Sequence, residues 1–129
     1  MSDSGYSTTP LIKKLGFKPG DSVFVEDTPG WYSDLLAQNS VVLEAGLPAT
    51  HVHLFCDSKA TLKEFLDNYD LNEIQTSLWV SWPKKASGIK TDVQEQDFRN
   101  YILPTGWVDT KVAAIDEVWS GLKFIRRKA

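Results

Sequence analysis

Residues Leu78 to Asp92 read LWVSWPKKASGIKTD, and the fold turns on how that stretch is read. An apolar run with two tryptophans, Leu78, Trp79, Val80 and Trp82, stops at Pro83. Lys84 and Lys85 follow, then a turn of small residues and a helix-start signal at Asp92. That order is expected of a buried central strand that delivers polar groups onto its own C-terminal rim. The rim is therefore the expected site.

Upstream, Thr9 and Pro10 form an N-cap and first-turn pair for a short helix through Leu15, closed by Gly16. Met1 to Ser7 read as a mobile end. Lys18-Pro19-Gly20-Asp21 is a turn, because proline presets the first central position and glycine accepts positive φ at the second. A strand follows over Ser22 to Glu26, then a loop Asp27-Thr28-Pro29-Gly30 and a helix over about Trp31 to Gln38. Val41 to Leu43 is only a weak strand signal before the break at Gly46-Leu47-Pro48, which makes His51 to Cys56 the better second strand. Asp57 or Ser58 caps a helix from Ala60 to about Tyr69, and the central strand, Ser77 to Trp82, comes next.

Downstream, Asp92 with Glu95 has capping-box spacing for a helix through Leu103, ended by Pro104 and Gly106. Lys111 to Ile115 and Leu122 to Arg126 close the chain as a hairpin around Asp116 to Gly121. The pattern β-α-β-α-β-α-β-β predicts a three-layer, mostly parallel α/β sheet with an antiparallel C-terminal hairpin. Counting these five strands in chain order, the expected spatial order is 2-1-3-5-4, with a flavodoxin-like 2-1-3-4 core as the runner-up. Both orders place the topological switch between the first and third strands, where ligands of open α/β sheets bind. In the preferred order the second strand, His51 to Cys56, lies at an edge, which leaves a homodimer open.

A chain of 129 residues, 42% hydrophobic and 24% charged, supports one domain with its own core. The single cysteine, Cys56, excludes a disulfide within the chain and reads as a buried, inert thiol in a reducing compartment. The N-terminus has no secretory pattern and no run is long enough to cross a bilayer, so a cytoplasmic location with no membrane partner is expected. A formal charge of -3 argues against a nucleic-acid surface, and the short basic tail Arg126, Arg127, Lys128 reads as a solvated end.

On the expected rim, Lys84 and Lys85 can neutralise a phosphate or carboxylate, with Ser87, Ser120, Thr28 and Trp119 completing a ligand site. The same lysines can equally be solvated loop residues. Asp116, Glu117 and Asp27 are the candidate carboxylates for acid/base work, although neighbouring residues on an extended segment point apart and make Asp116 and Glu117 a poor pair. Asp57 stands where a nucleotide-binding domain places an acid for ribose hydroxyls, but DTPGWY replaces the glycine-rich phosphate turn, so no cofactor is expected. His51 and His53 share a strand face at a spacing that would need a third ligand from elsewhere to hold a metal, and packing is the expected role. Cys56 and His53 fall on opposite faces and make no nucleophile-base couple. Of the five tryptophans, Trp31, Trp82 and Trp119 stand at loop boundaries.

The chain also resembles a bacterial family of small proteins known only as a domain of unknown function. The residues that carry the likeness are GYSTTPLIKKLGFKPG (Gly5 to Gly20), Leu78 to Asp92, and VDTKVAAIDEVWSGLKFIR (Val108 to Arg126). That family implies no activity. The stretch from the central strand through a helix to the hairpin is similar in layout to the C-terminal half of class I methyltransferases, a Rossmann-like fold, although the chain is short for their seven-stranded sheet. The sequence thus points to a binding or regulatory module for a small anionic ligand or acidic partner. A small enzyme using a rim carboxylate with Lys84 or Lys85, or a structural, self-associating protein, are the alternatives.

Overall fold

The computed structural model describes residues 10–26 and 28–127. Along the chain lie α1 (Leu11–Leu15), β1 (Ser22–Glu26), α2 (Gly30–Gln38), β2 (Val42–Glu44), β3 (Ala49–Phe55), α3 (Lys59–Asn68), β4 (Ile74–Pro83), α4 (Glu95–Ile102), β5 (Trp107–Ala114) and β6 (Trp119–Arg126). One six-stranded sheet has the order β2-β1-β3-β4-β6-β5. Strands β2, β1, β3 and β4 are parallel, and the β5-β6 hairpin joins antiparallel through β6. No helix among the described residues is long and apolar enough to cross a membrane.

Alternation along β3 and β4 builds the three layers, because successive side chains point to opposite faces. Val52, Leu54, Leu78, Val80 and Trp82 pack with Leu62 and Phe65 of α3 and Phe98 and Ile102 of α4. On the other face Trp79 and Phe55 pack with Leu15 of α1 and with Tyr32 and Leu36 of α2. The central position of β4 explains its sequence: from Ser77 to Pro83 every residue is buried, so its run is not an apolar-polar alternation. The turn at Lys18 to Asp21 forms as read, with the Asp21 amide donating to the Lys18 carbonyl at 2.9 Å and Gly20 at φ 91°. The expected Thr9 cap, the Met1 to Ser7 end and Asp27 lie outside the described residues.

The α/β class, the parallel strands and the insertion of the last strand beside the central one are as expected; the other half of the order is not. His51 to Phe55 sits between β1 and β4, so Ser22 to Glu26 does not touch the central strand. The weak strand signal at Val41 to Leu43, passed over in favour of His51 to Cys56, is β2, an edge strand of three residues. Val42 and Leu43 are each 50% exposed there, so β2 carries none of the burial signal that marks an interior strand. From β2 the chain returns past β1 through Ala45 to Pro48, with Leu47 packed on the α3 side. The switch point therefore falls between β1 and β3, and the strand expected at an edge is interior. The open edges are β2 and β5.

A second correction concerns α4. Asp92 does not cap it. Gln94 is its N-cap: the Asp97 amide donates to the Gln94 carbonyl at 2.9 Å, and the Asp97 carboxylate accepts from the Gln94 amide at 2.8 Å. Asp92 is drawn instead to α3, where its Oδ1 accepts from the Lys59 amide at 2.7 Å, one of the donors a helix start leaves unpaired.

Candidate functional site

Over the carboxyl ends of β3 and β4 lies a cleft of about 920 Å³. Asp57 and Ser58 line it from the end of β3, Trp82 to Lys85 from β4, Ser120 from β6, and Gly88 to Glu95 from the loop leading to α4. That loop is tied across the sheet. The Thr91 hydroxyl donates to the Asp57 carbonyl at 2.7 Å, and Asp92 holds the start of α3. At its near end the Ser87 hydroxyl donates to the Lys84 carbonyl at 2.6 Å and accepts from the Ile89 amide at 3.2 Å. Gly88 at φ 78° closes this turn, a conformation in which a side chain would be strained.

The two lysines do different things. The Lys84 ammonium donates to the Asp116 carbonyl at 2.7 Å, and its amide to the Val118 carbonyl at 2.7 Å, so Lys84 braces the hairpin turn. Among the described residues, Lys85 and Lys90 enter no ion pair or side-chain hydrogen bond, nor does the carboxylate of Asp57. The remaining acids of the cleft are engaged: Asp92 with the Lys59 amide, Glu95 with Arg99 at 2.5 Å. Ser58 caps α3 by accepting from the Thr61 amide. Burial pushes the Cys56 thiol up to about 11, and the thiol donates to the Ser58 carbonyl.

The expected rim residues thus divide. Lys84, Lys85 and Ser120 line the cleft, and Ser87 shapes its loop. Asp116 spends its carboxylate inside the turn, accepting from the Val118 and Trp119 amides at 2.8 Å each. With Glu117 it borders a separate hollow of about 420 Å³ beside Trp31 and Leu11. Trp119 packs edge-on against Phe55 at 5.1 Å. Thr28, after β1, is separated from the β4 rim by β3 and is not part of the cleft. Asp57, Lys90 and the apolar Ile89 are the cleft residues that the expected topology left out. Only the placing of β3 beside β4 brings Asp57 to this rim.

The strongest shifts in acidity lie elsewhere, under α2. His53 is fully buried, with Nδ1 2.6 Å from the Tyr32 hydroxyl and Nε2 2.7 Å from the Ser81 hydroxyl. Burial lowers its pKa to about 3, so the ring is neutral, and burial raises Tyr32 well above its ordinary value. His51 bonds Ser77 through Nδ1 at 2.6 Å and Asp21 through Nε2 at 2.8 Å. Burial lowers His51 and outweighs the pull of the Asp21 carboxylate, so this contact is a neutral N–H donating to a carboxylate. Burial opposes the charge on Asp21, but the hydrogen bonds from His51 and Lys18 together hold its carboxyl below the usual range. The Asp21-His51-Ser77 line has the residue types of a nucleophilic triad, but Ser77 is fully buried in the sheet, out of reach of a substrate. All four imidazole nitrogens already have protein partners.

No protein-family model matches the chain, and no curated protein sequence does. Solved structures do. Magnesium protoporphyrin IX methyltransferase from Synechocystis PCC 6803, solved with bound SAM (S-adenosylmethionine), is 13% identical. The match covers 90% of this chain and 74% of that one, with a TM-score of 0.55. A Sulfolobus solfataricus structure assigned to the type 11 methyltransferases is 14% identical over 84% of this chain and 86% of that one, with a TM-score of 0.46. The chain has a fold distantly similar to the class I methyltransferases. At such identity the likeness extends to fold alone.

The first of these proteins was solved with S-adenosylmethionine, and in this chain the residues after β1 do not fit such a cofactor. A phosphate- or nucleotide-cradling turn uses successive glycines whose amides approach the ligand. Here Pro29 has no N–H, Gly30 is already the first residue of α2, and the next glycine is Gly46.

Proposed function

We propose that the protein is a small enzyme of methyltransferase-like fold that works on a compact anionic substrate in the cleft over β3 and β4. Lys85 and Lys90 meet the anion, and Asp57 serves as the rim carboxylate. One observation carries this reading: among the described residues these three ionised groups have no ion-pair partner while sharing one cleft at the carboxyl ends of parallel strands. A second reading, a binding module without turnover, is favoured by the state of the nucleophile candidates nearby. The Ser58 hydroxyl is used as a helix cap, and the Cys56 thiol is buried and held in its protonated form.

The test is calorimetric titration with a panel of small carboxylates, phosphate esters and S-adenosylmethionine, followed by product analysis of every ligand that binds. An enzyme requires that Lys85→Ala weakens binding and that Asp57→Asn stops conversion while retaining affinity. Binding with every ligand recovered unchanged leaves the module reading in its place. Tight binding of S-adenosylmethionine would overturn the conclusion that the loop after β1 does not fit it.

A further inference from the structure

We infer, building on the cleft assigned above, that its ligand is an organic anion with an apolar body, about the size of a bicyclic aromatic acid, and not an inorganic or wholly polar anion. The cleft has two kinds of lining. The cations Lys85 and Lys90 and the apolar residues Trp82, Pro83 and Ile89 all border it.

Trp82 is packed against Phe98, with ring centroids 5.3 Å apart, and keeps 9% of its surface exposed. Its indole N–H has no acceptor among the described residues, yet no buried side-chain donor there is left unpaired, so this N–H opens to solvent. Ile89 is 44% exposed, and the Ser87-Gly88 turn fixes where it stands. An exposed isoleucine in a cleft that an indole and a proline also line is apolar surface left in water beside two cations, and it suits the apolar body of an organic anion. A volume of about 920 Å³ agrees, since inorganic phosphate would occupy a small part of it and leave Ile89 in water.

The test titrates four probes: naphthoate, naphthalenemethanol, acetate and inorganic phosphate. The proteins are the parent, Ile89→Ser and Lys85→Ala, each with its melting temperature measured. Naphthoate should bind more tightly than the other three, and Ile89→Ser should weaken it by roughly tenfold or more without changing the melting temperature. Lys85→Ala should weaken it as well. If acetate or phosphate binds as tightly as naphthoate, depends on Lys85 and ignores Ile89→Ser, the apolar body is refuted while the anion cleft stands. If no probe binds, or naphthoate binding ignores both substitutions, the cleft itself is not the site and both readings fail.

Discussion

Two polar regions lie on the same strands, one against a sheet face and one over the carboxyl ends, and they differ in whether their polar atoms have found partners. Under α2, His51 and His53 are 2% and 0% exposed, and every ring nitrogen is bonded to Asp21, Ser77, Tyr32 or Ser81. In the cleft, Lys85, Lys90 and Asp57 face outward without ion pairs among the described residues. The strongest shifts in acidity, at His53 and Tyr32, belong to the closed region. Perturbed acidity is a common mark of active sites, but burial alone produces it, and here it reports burial. The open region, with charges that lack ion-pair partners among the described residues in a concave setting, is the one equipped to take a ligand.

The contrast breaks most sharply at His53. Replacing it by alanine would leave the Tyr32 and Ser81 hydroxyls unpaired in the interior beside a new cavity, for a cost of roughly 3 to 5 kcal/mol. Urea unfolding of His53→Ala measures this. A loss below about 1 kcal/mol would mean that the neighbouring hydroxyls re-pair and that the ladder is not a closed unit.

Acid probes the same region without mutation. The His53 pKa is lowered from 6.5 to about 3 in the folded protein. The folded state therefore binds fewer protons than the unfolded chain between those values. The stabilisation is complete above the unfolded pKa and is lost as pH falls through this window. At about 1.4 kcal/mol per unit, the loss from His53 is on the order of 5 kcal/mol if the fold survives to the bottom of it. His51, also lowered, acts in the same direction. Asp21, whose carboxyl is held low, adds to the loss once pH falls below the usual carboxylate range. Urea midpoints between about pH 7 and pH 4 should fall steadily, and His53→Gln should flatten that slope. An unchanged midpoint would show that the folded protein takes up protons as readily as the unfolded chain, and that His53 is not held neutral by burial.

What the sequence disclosed follows from burial. β1 was legible to the residue, and β4 nearly so, because interior strands carry dense apolar runs between Gly, Pro and Asp breaks. The edge strand β2 gave only a weak signal, since a short edge strand with Val42 and Leu43 half exposed lacks the dense apolar run of an interior one. Passing it over cost the position of β3, and with it the place of Asp57 on the rim beside Lys85. The pairing of Lys84 with the hairpin turn could be anticipated from topology. That it reaches the Asp116 carbonyl and not the carboxylate could not, because spacing does not reveal that Asp116 uses its side chain to close its own turn. The shift of the α4 cap from Asp92 to Gln94 is of the same kind, a long-range partner, Lys59, outcompeting a local pattern.

The smallest expected effect divides two adjacent lysines. Lys85 is exposed, and the cleft loop is held by Ser87, Thr91 and Asp92 without its side chain, so Lys85→Ala should leave stability within about 0.5 kcal/mol of the parent. Lys84→Ala removes a donor from the partly buried Asp116 carbonyl and should cost more, about 1 to 2 kcal/mol, by freeing the hairpin turn. Ligand affinity should respond in the opposite sense, falling with Lys85→Ala and changing less with Lys84→Ala. Thermal melts and titrations of the two variants side by side decide it. Equal destabilisation by both would make Lys85 part of the same brace. The cleft would then be a closed structural region like the one under α2, with no cation reserved for a ligand.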